Sequence, residues 1–248
     1  MAIYKKTRLD QLLVDSGLAA TRSRAADLVR RGCVSVGGAP AAKPGALVRA
    51  DASLAVSPGA AAYVSRGALK LEAALESFGF EAEERVALDI GASTGGFTEV
   101  LLANGAAKVY AVDVGRDQLH AKLRADPRVV VLEGTDARRL DKALVKEPAG
   151  AIVADVSFIS LTQALPAPMA LAAPCAWLIA LVKLQFEAGR KAVGKRGVVR
   201  SEAEREKAVT RVWQFLEEKG WKVLGVLPSP VLGRGGNQEF LIGARHDG

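Results

Sequence analysis

Near the start of the chain, apolar residues recur at helical spacing in two short runs: Leu9, Leu12 and Leu13, then Ala25, Leu28 and Val29. This predicts two short helices, the second stopped by Gly32. The alternation in CVSVGG predicts a strand that turns at Gly37-Gly38, and SLAV near residue 55 another. SPGAAAYVSRG, from Ser57, reads as a linker. From residue 85 the period changes. The strand-like runs RVALDI, KVYAVDV, RVVVL, GAIVADV and WLIALV are separated by helical stretches after Thr94, after Arg116 and before Trp177, which implies a parallel sheet covered on both faces. A helix from about Ser201 to Lys219 precedes WKVLGVLPSP, and a turn with Gly233, Gly235 and Gly236 leads into EFLIGA. The last two strands pair as a hairpin, so the final one runs antiparallel and begins at the edge where the parallel strands end, the edge at which such sheets bind ligands. The expected organisation is a small α+β domain over 1–60, a linker over 61–66 and a large α/β domain over 67–248.

Composition sharpens this division. The 248 residues are 50% hydrophobic and carry a formal charge of +7, which suits an anionic partner such as nucleic acid. Residues 1–60 hold nine lysines and arginines against four aspartates, a net of +5, leaving +2 for the rest. A basic module therefore precedes a nearly balanced one. Cys33 and Cys175, both in apolar surroundings, are expected as core fillers, with neither a disulfide framework nor a metal site. MAIYKKTRLD lacks the apolar run of a secretory signal, so a cytoplasmic location is expected. Val156 to Val182 holds no charged residue, but prolines 166, 168 and 174 and the polar Ser157, Ser160, Thr162 and Gln163 interrupt it. A buried helix, a proline turn and a central strand explain it better than a membrane span.

The glycine turn in RVALDIGASTGGFTEVLL follows a strand and opens a helix, where glycines let a backbone approach a ligand. It has no Gly-Lys-Ser/Thr, which argues against a nucleoside triphosphate, and Gly91 is followed by AST before Gly95 and Gly96, so the dinucleotide spacing is absent too. Acidic residues sit at three strand ends: Asp89 before the loop, Asp113 after KVYAV and Asp136 just past VVVLEG. Asp113 can accept both ribose hydroxyls of an adenosine and Asp136 the adenine amino group. Asp89 repels a pyrophosphate and favours an ammonium or sulfonium. S-adenosylmethionine fits all three, with Gly91, Ser93, Gly95, Gly96 and Phe97 shaping the loop around it.

Arg8-Leu9-Asp10, Ser23-Arg24-Ala25 and Leu28 to Gly38 resemble the S4 RNA-binding fold. The resemblance implies that Lys6, Arg8, Arg22, Arg24, Arg30 and Arg31, with Arg66 in VSRG, face RNA phosphates. From about Tyr63 the chain resembles the FtsJ-like Rossmann-type methyltransferases. The whole is similar to the TlyA family of ribosomal RNA 2'-O-methyltransferases, some of which carry the name hemolysin. The words are VSRGALKL (64–71), DIGASTGGFT (89–98), ADVSFISL (154–161), LVKLQFE (181–187), GVVR (197–200) and GNQEFL (236–241), with Leu184 where KPQFE has proline. The resemblance implies a Rossmann-like class I methyltransferase sheet with an antiparallel last strand, ribosomal RNA in ribosomal subunits as partner, and a cytidine ribose as target. It also implies a Lys70, Asp155, Lys183 and Glu239 set, in which Lys183 is base or hydroxyl positioner, Lys70 holds the 2'-oxygen, and Asp155 and Glu239 orient the lysines. Lys183, after an apolar run and near another cation, would favour a neutral amine. A base methyltransferase would instead carry a word such as Asn/Asp-Pro-Pro-Tyr, which ADVSF is not. A non-catalytic RNA-binding protein and, with little physical support, a membrane-lytic protein are the alternatives.

Overall fold

The computed structural model describes residues 6–19, 21–30, 32–41, 43–56, 63–188, 201–233 and 237–247. Two compact units divide the chain, Met1–Arg66 and Gly67–Gly248. In the first, α1 (Leu9–Asp15) packs on α2 (Arg22–Arg30) through the apolar positions read from the sequence, Leu9, Leu13, Ala25, Leu28 and Val29. Short strands complete it: β1 (Lys6–Arg8) pairs with β4 (Leu47–Arg49), and β2 (Val34–Val36) pairs with both β3 (Ala39–Pro40) and β5 (Leu54–Val56).

The second unit opens with α3 (Gly67–Phe78). It continues through β6 (Val86–Ile90), α4 (Gly96–Ala103), β7 (Lys108–Asp113), α5 (Ala121–Arg124), β8 (Val129–Glu133), β9 (Ala149–Ala154), α6 (Leu161–Ala164), α7 (Pro166–Met169) and β10 (Ala172–Val182). The last elements are α8 (Leu184–Glu187), α9 (Glu202–Glu218), β11 (Trp221–Pro228) and β12 (Phe240–His246). Seven strands form one sheet in the order β11-β12-β10-β9-β6-β7-β8. The β8, β7, β6, β9 and β10 neighbours are parallel, and β12 enters antiparallel between β10 and β11. The chain winds from β6 outward to β8, then crosses to β9 on the other side, so the order reverses between β6 and β9. A crevice opens beyond the carboxyl ends of strands at such a reversal. β9 is buried along its whole length and β10 from Ala176 onward, as expected for strands covered on both faces.

Local signals explain several boundaries. Ser201 caps α9 by accepting the Glu204 N–H, and the Glu204 carboxylate accepts Lys207 Nζ at 2.9 Å. Val156–Val182 resolves into a loop, the two turns α6 and α7, and β10. Among the described residues no helix is long and apolar enough to cross a membrane. Cys33 is buried, but Cys175 is exposed, against the expectation of a core filler. The β10 register breaks between Ala172 and Trp177, and Cys175 has a φ of +58°, so this bulge turns it out of the ladder.

Candidate active site

Sheet register assembles the site. Val182 at the end of β10 pairs with Phe240 at the start of β12, which sets Lys183 beside Glu239. Ala154 pairs with Ala180 and with Ile90, which brings Asp155 and Gly91 to the same edge. Lys70, on α3, completes a row. Its Nζ donates to Glu239 Oε2 at 2.6 Å and lies 3.8 Å from Asp155 Oδ2, while Lys183 Nζ lies 2.5 Å from Asp155 Oδ1 and donates to Ser157 Oγ at 2.8 Å. Lys70, Lys183 and Glu239 are all buried, and Asp155 is half-buried. Two ammonium and two carboxylate groups give formal neutrality, the condition under which such burial is tolerable. A carboxylate, that of Asp155, therefore stands between the two lysines.

Beside the row lies a cavity of about 650 Å³, in the range of small-molecule sites. Among its walls are Gly91, Ser93, Asp113, Asp136, Asp155 and Ser157. Asp113 accepts the Ser93 N–H at 2.8 Å on one oxygen and the Gly115 N–H at 2.7 Å on the other. Each oxygen keeps a second lone pair, so the carboxylate can take a vicinal diol. Asp136 lines the cavity, but both its oxygens hold Arg138, and it caps the following turn through the Arg138 N–H. Arg138 lines the wall with it. These walls fit an adenosine-bearing ligand such as S-adenosylmethionine.

Asp89, Gly95, Gly96 and Phe97 are not among the cavity walls. Asp89 is fully buried on β6, accepts the Thr98 hydroxyl at 2.6 Å, and is pushed up to about 7 chiefly by that burial. A carboxyl so desolvated presents less than a full negative charge to a ligand near neutrality. The loop glycines also answer to the protein itself. A Cβ on Gly91 would stand 2.6 Å from the Asp155 carbonyl oxygen, and one on Gly95 2.2 Å from a Leu123 methyl.

Several residues here escaped the sequence reading. Ser157 receives the Lys183 proton donor, and Glu187 accepts Ser160 Oγ at 2.5 Å and Leu161 N–H at 2.8 Å. Phe158, 85% exposed with a φ of +67°, lines the cavity and tilts against Phe186. All lie inside the words ADVSFISL and LVKLQFE, so the signal was present without a role attached. Glu133, the cross-strand partner of Asp113, takes the N–H groups of Asp117, Gln118 and Leu119 and the Arg124 guanidinium. Arg124 and those N–H groups hold its pKa at about 2. It fixes the loop that carries Gln118, another cavity wall. Leu184 opens α8 and packs on Ala208 and Phe240. Proline suits the first helical position because the missing N–H has no partner there, so leucine replaces it without changing the turn.

In the first unit, Arg8 forks onto Asp10 at 3.0 and 2.7 Å, and Arg22 reaches it at 3.4 Å. The Arg8 hydrogen bonds lead in lowering the buried Asp10 to about 2. Both arginine side chains remain about half exposed. Arg24 pairs with Asp27 at 3.1 Å. Lys6, Arg24 and Arg30 are exposed, Arg66 is half-buried against Gly32, and Arg31 falls outside the described residues, as do the word GVVR and Gly235 and Gly236.

Residues 63–246 match the model of the FtsJ-like methyltransferase family, and residues 7–54 match that of the S4 domain. The 16S/23S rRNA (cytidine-2'-O)-methyltransferase TlyA of Mycobacterium tuberculosis is 46% identical over 97% of this chain and 90% of its own. The chain belongs to the TlyA family of FtsJ-like methyltransferases. Hemolysin A of Brachyspira hyodysenteriae, another relative, is 40% identical over 94% of this chain and 98% of its own. A solved Streptococcus thermophilus protein that carries the hemolysin name superposes with a TM-score of 0.76, at 41% identity, over 99% of this chain and 90% of that one. The Rossmann-like sheet with its S4 domain is thus the fold of a methyltransferase family, and S-adenosylmethionine is the donor that this fold implies.

Proposed function

We propose that the protein methylates the 2'-hydroxyl of a cytidine ribose in ribosomal RNA. The observation that carries this reading is the buried Glu239–Lys70–Asp155–Lys183 row, whose member Asp155 also lines the Asp113 cavity. The substrate follows from the Mycobacterium tuberculosis relative, named for that reaction.

When bound, S-adenosylmethionine supplies an electrophilic methyl group on a sulfonium. Asp113 would hold the donor's ribose hydroxyls, Asp136 and its turn the adenine end, and the Gly91–Ser93 backbone the methionine end. Asp89, Gly95, Gly96 and Phe97 would shape that loop from behind. A ribose hydroxyl is a poor nucleophile as it stands, and the reaction needs its oxygen aligned and its proton accepted or held. Lys183 takes that part as base or positioner, Lys70 steadies the 2'-oxygen, and Asp155 and Glu239 orient the two amines. Phe158, exposed at the rim, offers a face on which a nucleobase can stack.

Residues 1–60 act as the RNA-gripping module, 61–66 as linker and 67–248 as the catalytic domain. Lys6, Arg8, Arg22, Arg24, Arg30, Arg31 and Arg66 would meet phosphates, contacts that give affinity without reading sequence. A cytoplasmic location accompanies a ribosomal substrate. The test is transfer of a tritiated methyl group to purified ribosomal subunits, followed by mass spectrometry of rRNA digests. The reading expects label on a cytidine ribose. Label on a base, or none with donor bound, would refute it.

A further inference from the structure

The segments that carry Asp155 and Lys183 are fastened together at four successive points. One is the Asp155–Ser160 loop after β9; the other is Lys183 with the α8 turn. Lys183 meets Asp155 at 2.5 Å and Ser157 at 2.8 Å, the Phe186 ring lies 5.2 Å from that of Phe158, and Glu187 accepts Ser160 Oγ and Leu161 N–H. The far end of the turn is tied to α9, because Arg211 donates to the Glu187 carbonyl at 2.9 Å.

The loop needs such fastening. Phe158 holds a φ of +67°, a conformation that is unfavourable for a bulky side chain and persists only when its surroundings enforce it. Glu187 is 2% exposed, and burial raises its pKa against the Ser160 and Leu161 donors and the Arg211 charge. Burying a carboxyl is costly where an apolar side chain could fill the space. The Glu187 carboxyl is not among the cavity walls, and its bonds go to Ser160 and Leu161, outside the charged row, so what it contributes is geometry.

We propose that Glu187 is a positioning residue for methyl transfer: its carboxyl clasps Ser160 and Leu161 to the turn after β10, and so keeps Asp155 and Ser157 within reach of the Lys183 amine. The inference rests on the methyl-transfer reading given above.

Full-length Glu187→Ala and Glu187→Gln are compared with wild type in methyl transfer to ribosomal subunits, with S-adenosylhomocysteine titration counting competent sites. Glu187→Ala is expected to lose about tenfold or more in kcat, as for misplaced reacting groups. Its KM for subunits and its binding stoichiometry should stay within about twofold of wild type. The Gln amide can accept the Leu161 N–H and donate to Ser160, so Glu187→Gln should recover most of the turnover. The clasp is overturned if Glu187→Ala keeps kcat within about twofold, if its kcat falls only in step with binding stoichiometry, or if a folded Glu187→Gln is as slow as the alanine variant. Should Glu187→Ala not fold, Ser160→Ala removes one of the two bonds and is read by the same criteria. Wild-type protein that binds S-adenosylhomocysteine but transfers nothing would refute the methyl-transfer reading itself; active wild type beside an equally active Glu187→Ala refutes the clasp alone.

Discussion

Gly91→Ala separates two explanations of the glycine loop. If Gly91 serves only to admit a ligand, alanine there should weaken donor binding and leave the fold intact. The structure points to a heavier cost. Gly91 has a φ of +85°, and an added Cβ would lie 2.6 Å from the Asp155 carbonyl oxygen and 3.0 Å from its carbon. Both neighbours are backbone, and they cannot swing aside. The positive φ costs an L-residue roughly 1–2 kcal/mol, and forcing a methyl into a filled space adds about 1–3 kcal/mol. A loss of about 2–5 kcal/mol is expected, which at roughly 2–4 °C per kcal/mol for a unit of this size lowers its melting temperature by about 10 °C. The displaced atom belongs to Asp155, so turnover should fall as well. Gly79→Ala supplies the control, since Gly79 has a φ of +62° with nothing within 4 Å of its Cβ position. The assay is urea unfolding followed by tryptophan fluorescence, which reports the second unit because Trp177, Trp213 and Trp221 all lie in it. Equal destabilisation of the two variants, or a loss below about 0.5 kcal/mol for Gly91→Ala, within the ordinary effect of a surface substitution, would refute the reasoning.

Lys183→Ala should bind S-adenosylhomocysteine normally and lose well over tenfold in methyl transfer, as for removal of a general base; near wild-type turnover on rRNA would reject that role. The double change Arg24→Glu and Arg30→Glu should weaken RNA binding and flatten its salt dependence while sparing donor affinity, and an unaltered salt slope in a filter-binding titration would count against the gripping role. Asp89 makes a pH prediction. Burial lifts its carboxyl from 3.8 to about 7, so between those values the folded protein keeps a proton that the unfolded chain has released. The contribution of this group to stability is greatest below about pH 4, falls as pH rises to about 7 and is level above. Asp89→Asn should remove that slope, so its urea midpoints at about pH 5 and pH 8 should differ less than those of wild type; identical differences would show that Asp89 does not titrate in this way.

The sequence made the sheet legible because its signal is periodic: apolar runs alternate with helical stretches, and the turn at Gly233 leads back into EFLIGA. Even the approach of Glu239 to Lys183 followed, since an antiparallel last strand must start where the parallel ones end. What stayed hidden depends on contacts between segments far apart in the chain. A glycine announces freedom of φ, but only the fold shows that Gly91 faces the Asp155 backbone. An acid at a strand end is visible, yet nothing local says that Glu133 gathers three N–H groups of the Asp117–Leu119 segment while Asp113 turns to the cavity. Cys175 misled because AAPCAW is apolar throughout, and a register break leaves no mark on hydropathy.

Register, more than any single side chain, makes the charged row possible. Side chains alternate faces along a strand, so sliding β12 by one residue against β10 would move Glu239 away from Lys70 and leave that buried amine only its longer contact with Asp155. Six consecutive pairs, Trp177–Arg245 to Val182–Phe240, oppose that slip, and four of the β12 residues in them are buried. The apolar ladder that stabilises the sheet therefore also fixes the distance between Lys70 and Glu239. Neutrality of the row then makes the arrangement self-enforcing, since displacing one member exposes the next to an uncompensated charge. A site built this way draws its geometry from the core, and leaves to Glu187 and the α8 turn the smaller task of holding one loop against another.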